Sequence, residues 1–527
     1  MTAPPGGPIV QKPRSSSTSA GLVRGSTMLI LGRLISKAGN FGTQLLLVRY
    51  LTRGDFGGFA YALSLVTVAQ TAISLGLQRS IPRFLPIYFE RGDKPKVLGT
   101  IVLTFACITA LGLATALVLY GGMGLAGHLF HDPRTVSLLP ILIFLAPVEA
   151  LDDVLVGIFA VFARPRAIFF RRYVLAPVLK LATVVLLILS HRDVMFLATG
   201  YVLSSMVGVS VYIYLVLRLL RERGLLDPGL LRRIEVPWRE VFGFTLPLLA
   251  TDMVPAAINT VSVVILGHYW NKSQVADLRA VQPMANVNQI VFVGFSTLFM
   301  PAASRLFATR NGEEMNRLYW HTAIWIAVLT FPVFALTCSL AEPITVLLYG
   351  DRYRQAAPIL AMLSLAYYFN AATGFNGLTL KAFGKVRYMI WLSLATVALS
   401  VTLSFALIPK FGAVGAGTAM MIAITAYNVL KQAGLGLDTG VRLFDWFYAR
   451  IYLLIVVFAA ALMLIQVTTR APILLSGTLA AAMALVLVAL SARHLELSAT
   501  FPEATRRLRG LRFIFSGRWG RAPTANS

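Results

Sequence analysis

The chain has 527 residues, of which 57% are hydrophobic and 13% charged, and it carries a formal net charge of +25. This composition, with a strongly positive mean hydropathy, excludes a string of soluble domains and places the chain in the membrane class as one large membrane domain. The two cysteines, Cys107 and Cys338, both lie inside apolar runs, which leaves no disulfide framework and no thiol metal site to argue for.

At the N-terminus, Met1 to Ala20 is rich in Pro, Gly, Ser and Thr, carries Lys12 and Arg14, and has no apolar h-region or cleavage site. Residues 1–24 therefore read as a disordered tail and not as a signal peptide. Windows of about 20 residues then predict roughly 14 spanning helices, an all-α polytopic membrane protein. They lie near 28–48, 58–78, 97–120, 137–161, 172–190, 195–217, 241–268, 281–303, 321–348, 356–380, 388–408, 412–434, 450–467 and 472–492.

The positive charge falls on alternate loops. Arg79, Arg83, Arg91, Lys94 and Lys96 follow the second span; Arg164, Arg166, Arg171 and Arg172 follow the fourth; Arg218, Arg221, Arg223, Arg232, Arg233 and Arg239 follow the sixth. With the arginines of the C-terminal tail, roughly 34 Lys and Arg lie on the side of the termini and roughly 10 on the other, which predicts both termini in the cytoplasm. The charge is thus a topology signal whose expected partner is anionic membrane lipid, not nucleic acid. In the tail from Arg493 to Ser527, Phe501, Phe513, Phe515 and Trp519 interleave with arginines, a pattern suited to a membrane surface.

Several spans carry polar residues on one face. In the first, Arg33, Ser36, Lys37, Asn40, Thr43 and Gln44 recur at helical spacing, so one stripe is expected to line a polar cavity instead of facing lipid. In the fourth, Glu149, Asp152 and Asp153 stack on one face, and like charges so close need a cationic partner or a shifted titration. Lys180, on the fifth span at similar depth, is expected to pair with Asp153; the sharper alternative is that Glu149 or Asp152 couples transport to protons. In the seventh, Asp252 is expected in the cavity, with Pro255 freeing the carbonyl of Thr251 beside it. His128, His131 and Asp132 sit in a short outer loop without further ligands and read as solvated, not as a metal site. Gly412, Gly415 and Gly417 read as close helix packing. With no GxxxxGK motif, a nucleotide-driven pump of that type is excluded, and enzyme readings are weak.

The chain repeats itself at an offset of about 219 residues. Tyr50 meets Tyr269, Gln70 meets Gln289, Pro82 meets Pro301, Arg91 meets Arg310, and HLFHDP with Asp132 meets LLYGDR with Asp351. Six spans separate the copies, an even number, so both lobes point the same way through the membrane. The offset sets Asp252 opposite Arg33, Asn259 opposite Asn40 and Ser262 opposite Thr43. The domains expected are an N-lobe at 25–220, a basic linker at 221–240, a C-lobe at 241–437, two appended helices at 438–492 and a basic tail at 493–527.

LVRYLTRGDFGGFAYALSLVTVAQTAISLGLQRSIPRF, VLLYGDRYRQAAPILAML, KAFGKVRYMIWL and ALIPKFGAVGAGTAM together resemble the polysaccharide-transport (Wzx-type) flippases of the multidrug/oligosaccharidyl-lipid/polysaccharide exporter superfamily, across roughly residues 25 to 440. The resemblance implies two pseudo-symmetric six-helix lobes around a central cavity, alternating between inward-open and outward-open states in the bacterial cytoplasmic membrane, with no cofactor. It implies that an isoprenoid-diphosphate-linked saccharide moves from the cytoplasmic to the outer leaflet during cell-surface polysaccharide biosynthesis, with a polysaccharide polymerase or glycosyltransferase as protein partner. Arg33 and Lys37 would then hold the diphosphate, and Asn40, Gln44, Gln70, Asn259 and Gln289 the sugar hydroxyls. Members of the family often carry an acidic residue late in the seventh span, where this chain has Asn259 and Ser262. The alternatives are a cation-coupled multidrug or metabolite exporter, which would want net acidic cavity walls, a lipid II flippase, and a scramblase or scaffold in a glycan-assembly complex.

Overall fold

The computed structural model describes residues 16–491 apart from 123–132, 163, 310, 437–440, 443–445 and 470–471. The loop with His128, His131 and Asp132, the N-terminal tail up to residue 15 and the basic tail from Arg493 lie outside the described residues. Among the described residues the chain is helical, with no strand.

The first half is built from α1 (Ser16–Tyr50), α2 (Arg53–Ser74), α3 (Ser80–Glu90), α4 (Lys94–Gly121), α5 (Pro133–Leu142), α6 (Leu145–Val161), α7 (Pro165–Leu189) and α8 (Val194–Glu222). The second half follows as α9 (Trp238–Ala256), α10 (Ser262–Tyr269), α11 (Lys272–Asn286), α12 (Ile290–Ala308), α13 (Gly312–Ser339), α14 (Ala341–Tyr349), α15 (Asp351–Ala382) and α16 (Val386–Leu435). The chain continues into α17 (Trp446–Thr469) and α18 (Ile473–Ser491).

Nine helices among the described residues are long and apolar enough to cross a membrane. They cover ten of the expected spans, because α16 takes in both the eleventh and the twelfth. At 1.5 Å per residue a continuous helix of that length would be about 75 Å long, more than twice the hydrocarbon core. Gly412 breaks it, with φ of 57°. The bend is held from α10 and α11: Trp270 Nε1 donates to the Ile408 carbonyl at 2.9 Å, and the Ala413 amide donates to Gln274 Oε1 at 2.9 Å. Close packing at Gly415 and Gly417 is as expected, since a Cβ on Gly415 would lie 2.4 Å from the Leu407 carbonyl oxygen.

The remaining expected spans fall on helices that are charged or interrupted. The fourth breaks between α5 and α6. The seventh passes through a π-helical segment, Ala257–Val261, which separates α9 from α10.

Helix starts in the two halves match. Thr52 caps α2 by accepting from the Asp55 amide at 3.1 Å, and Asn271 caps α11 by accepting from the Gln274 amide at 3.2 Å; Asp93 and Asn311 cap α4 and α13 in the same way. These caps satisfy amides that the first helical turn leaves orphaned. One apolar core joins α1–α11 to α14–α16, and a second gathers α12, α13, α15, α17 and α18. Side chains such as Leu117, Leu189, Trp391 and Leu474 point outward, as lipid-facing residues do.

Candidate functional site

The charged face of α6 is answered by α7, which runs back beside it. Asp152 meets Arg171 at 2.7 Å, Asp153 meets Arg172 at 3.0 Å and Glu149 meets Lys180 at 3.7 Å. The expected pair of Asp153 with Lys180 is thereby corrected: Lys180 goes to Glu149, and Asp153 takes an arginine. The reason is local. The apolar window began the fifth span at residue 172, whereas α7 starts at Pro165 and carries Arg171 and Arg172 inside it. From Phe169 to Leu175 the helix is π-bonded, and its wider turn lets two consecutive arginines lean toward α6.

Arg171 and Asp152 form the innermost pair, with side chains 6% and 13% exposed. The guanidinium lies over the Tyr212 ring at 5.0 Å, a favourable place for a cation. Gly208 makes room for it, since a Cβ there would lie 2.5 Å from Arg171 Nη2. The other two pairs are half-open and face a cavity of about 290 Å³ that Ser36, Asn40, Gln70, Ser204 and Ser205 complete. Each carboxylate there has its own cation, so the lining is strongly polar yet charge-balanced.

A second cavity, of about 330 Å³, adjoins it and shares Asn40 and Lys180. Thr43, Gln44, Ser64, Thr67 and Tyr201 line it over an apolar base of Leu47, Phe56 and Phe59, and Arg279 reaches in from α11. Arg279 Nη2 donates to Ser64 Oγ at 2.6 Å and Nη1 to Gln282 Oε1 at 2.9 Å, while Gln44 Nε2 donates to the Arg279 carbonyl at 2.8 Å. Its Nε is buried without an acceptor, and no carboxylate among the described residues pairs with it. This cavity has cations and no acid in its lining, which is what an anion requires.

Of the residues expected at the site, Asn40, Gln44, Gln70, Glu149, Asp152, Asp153 and Lys180 come together in these two cavities. Arg33 and Lys37 do not line either; they are exposed on α1, one and two turns before Asn40. There α1 is held on one side only, where Gly32 fits against Phe169 and Tyr173 of α7. Asn259 is engaged in the wall, accepting from Gln282 Nε2 at 2.9 Å and from the Tyr367 hydroxyl at 3.1 Å. Gln289 ends a short 3-10 turn between α11 and α12, away from both cavities. The side chain of Asp252 lies outside the described residues.

The end at which α1 passes into α2 is sealed across the two halves. Arg53 Nη2 donates to both carboxylate oxygens of Asp277, at 2.8 and 2.6 Å, and Gln355 adds a bond at 3.1 Å. Arg49 donates to the Leu348 carbonyl at 2.7 Å, and Arg352 to the carbonyls of Val48 and Arg49. Gly57 allows α2 to touch α11, since a Cβ there would lie 1.8 Å from the Lys272 carbonyl oxygen. At the other end Tyr88 of α3 donates to Glu240 of α9 at 2.7 Å. Burial and that bond push the Tyr88 phenol well above its ordinary range.

A family model for polysaccharide biosynthesis proteins matches residues 22–307. The chain belongs to that family. It is 23% identical over 218 residues to the capsular polysaccharide biosynthesis protein CapF of Staphylococcus aureus, and the match spans 41% of this chain and about half, 51%, of that relative. Its fold is similar to that of the lipid II flippase MurJ in an inward closed conformation, with a TM-score of 0.69, 12% identity, and coverage of 89% of this chain and 100% of that one. It is also similar to an inward-facing multidrug resistance MATE family transporter of the MOP superfamily, with a TM-score of 0.60, 15% identity, and coverage of 77% and 94%. This polysaccharide biosynthesis family member is therefore a multi-pass membrane protein with the fold of those transporters, and the resemblance read from its sequence holds. Within it, sequence reasoning missed Arg279, Tyr201 and the Arg53–Asp277 seal. One signal could have found Arg279: Asn271 followed by Gln274 is a helix start, which would have placed Arg279 inside a helix.

Proposed function

We propose that the protein is a flippase that moves an isoprenoid-diphosphate-linked saccharide from the cytoplasmic to the outer leaflet by alternating access, without enzymatic chemistry. The observation that carries this reading is the adjacency of two unlike cavities: one cationic, with the unpaired Arg279 and no acid in its lining, and one polar but charge-balanced, in which Lys180 at the junction is paired with Glu149. A diphosphate fits the first and sugar hydroxyls the second. Asn40 and Lys180, at the junction, touch both. Arg33 and Lys37, exposed one to two turns before Asn40, are placed to meet the anionic headgroup as it approaches, and Asn259 supports Arg279 through Gln282.

On this reading the sealed end faces outward, with both termini in the cytoplasm of a bacterium. The matching caps of the two halves support two six-helix lobes, 25–220 and 241–437, with helices 13 and 14 appended to a total of about 14 spans. A cation exporter would want net acidic walls, and here every described carboxylate of α6 is already paired.

Liposomes containing the purified protein and a fluorescent undecaprenyl-diphosphate-linked saccharide test this. Transport is expected in wild type and a loss of about ten-fold or more in Arg279→Ala, from removing one charge-assisted contact in a dry site. The proposal fails if no lipid crosses, or if Arg279→Ala and Lys180→Ala both transport like wild type.

A further inference from the structure

Apart from the two cavities, a groove of about 700 Å³ opens at the corner where α6 ends, α7 begins and α8 ends. Leu215 forms its floor over the buried Phe159 and Leu219, and Arg164, Arg166 and Arg218 stand around Glu222 at its rim. Its volume is in the range of pockets that hold small ligands.

The rim has more positive charge than the protein neutralises. Glu222 accepts from Arg164 Nη2 at 3.0 Å and from Arg218 Nε at 3.2 Å, so one carboxylate serves two guanidinium groups. Arg166 pairs with no carboxylate among the described residues. Arg223, close by, is engaged elsewhere, over the rings of Phe89 and Phe162 at 6.0 and 5.5 Å.

The floor continues into surface that faces acyl chains. Phe170 on α7 and Tyr214 and Leu217 on α8 are 54%, 66% and 50% exposed, and both helices are of spanning length. The apolar floor thus lies at the depth of the chains while the guanidinium groups reach headgroup level, as arginines at span ends do.

We propose that this groove is a binding site for an anionic glycerophospholipid, its phosphate on Arg166 and Arg218 and the start of its acyl chain on Leu215 and the outward faces of Tyr214 and Leu217. A free phosphate would leave the exposed apolar surface of Tyr214 and Leu217 uncovered, and a zwitterionic lipid would bring its own cation to a rim already rich in them. The occupant sits against Pro165–Ile168, which leads directly into the π-helical segment carrying Arg171 and Arg172. It would therefore steady the wall of the charge-balanced cavity. The inference is independent of the cargo.

The test uses purified full-length protein and native mass spectrometry of retained lipid, with dioleoyl phosphatidylglycerol against dioleoyl phosphatidylcholine. Wild type is expected to retain phosphatidylglycerol preferentially. Arg166→Gln with Arg218→Gln is expected to weaken that retention roughly thirty-fold, at about five-fold for each basic group near the surface. Arg166→Lys with Arg218→Lys, which keeps the charge, is expected to stay within about three-fold, and Arg232→Gln with Arg233→Gln, exposed elsewhere, to match wild type. Equal retention of the two lipids by wild type would overturn the proposal, as would full retention by the glutamine variant or loss in the lysine variant. Displacement of the lipid by glycerol phosphate at equal concentration would show a free-anion site instead, and would overturn it too.

Discussion

On the proposed topology, Asp277→Asn should unseal the outer end. The amide keeps the shape of the side chain and can keep a bond from Gln355, but it leaves the Arg53 guanidinium facing a neutral group. In the sealed conformation Asp277 is 2% and Arg53 25% exposed, so the pair is desolvated on one side only. Removing one partner of a fully buried pair costs about 3–5 kcal/mol and of an exposed pair about 0–1, which puts this one near 2 kcal/mol. If an open conformation separates α2 from α11 and so loses the pair, that cost shifts the balance between sealed and open states roughly thirty-fold toward open. A cysteine at Thr67, on the wall of the cationic cavity, reports the change in a background with Cys107 and Cys338 replaced by alanine. Its rate of reaction with a membrane-impermeant maleimide added outside should rise by about ten- to thirty-fold in Asp277→Asn. Glu342→Gln is the control, because Glu342 pairs with Arg354 at 3.2 Å with both side chains 59% exposed. Labelling unchanged by Asp277→Asn, or raised equally by Glu342→Gln, would refute the seal.

Four further outcomes follow from the geometry. Arg171→Leu should lower thermal stability by about 3–5 kcal/mol, and Arg171→Leu with Asp152→Leu should recover most of it, because the penalty lies in leaving a buried charge unpaired; equal loss in both would argue against a closed pair. Gly57→Ala should abolish transport while leaving the protein folded in detergent, because the added methyl meets the Lys272 carbonyl only when the outer end is sealed; normal transport would contradict the close approach of α2 and α11. Tyr88→Phe should cost about 1 kcal/mol at pH 8. Because the folded phenol titrates well above the unfolded one, the stability that Tyr88 contributes is fully present below pH about 10 and is lost as pH rises beyond it, so melting of wild type and Tyr88→Phe should converge toward pH 11. Glu149→Gln should raise affinity for the lipid-linked saccharide by about two- to five-fold, since Lys180 loses its competing carboxylate in a half-open pair, whereas Lys180→Gln should lower it; a fall in both, read from transport against cargo concentration, would separate Lys180 from the phosphate.

The face of α1 was legible because a polar stripe on an apolar helix has few physical explanations, and Asn40 and Gln44 do line the cavity. Periodicity fixes a face but not how far along the helix a neighbour packs against it, so Arg33 and Lys37 share the polar face of a site whose lining begins at Ser36. The carboxylates of α6 were legible as a group in need of cations, and their partners were not. A π-helical turn shifts the face on which each later residue lies, and nothing in FFRRYVL announces one. Arg279 was hidden in a short polar stretch that hydropathy windows treat as a loop, although its helix is capped by Asn271 at the place where Thr52 caps α2.

The placing of charge in this cavity supports an anionic cargo over a cationic one. A membrane protein can keep an ion pair at modest cost, but an unpaired guanidinium in a dry wall is expensive unless something anionic visits it. Here the acids of α6 are each matched by a cation of α7, so together they contribute polarity without net charge. Arg279 is unmatched, and its remaining bonds go to Ser64 and Gln282, neutral groups that hold it in position without satisfying it electrostatically. It comes from α11, while Asn40, Ser64 and Lys180 come from α1, α2 and α7, so an anion bound among them ties the two halves of the chain together. On the proposed carrier reading, movement of the halves would change its surroundings: a motion that opened the Arg53–Asp277 seal would draw Arg279 away from the first-half wall and release what both had held.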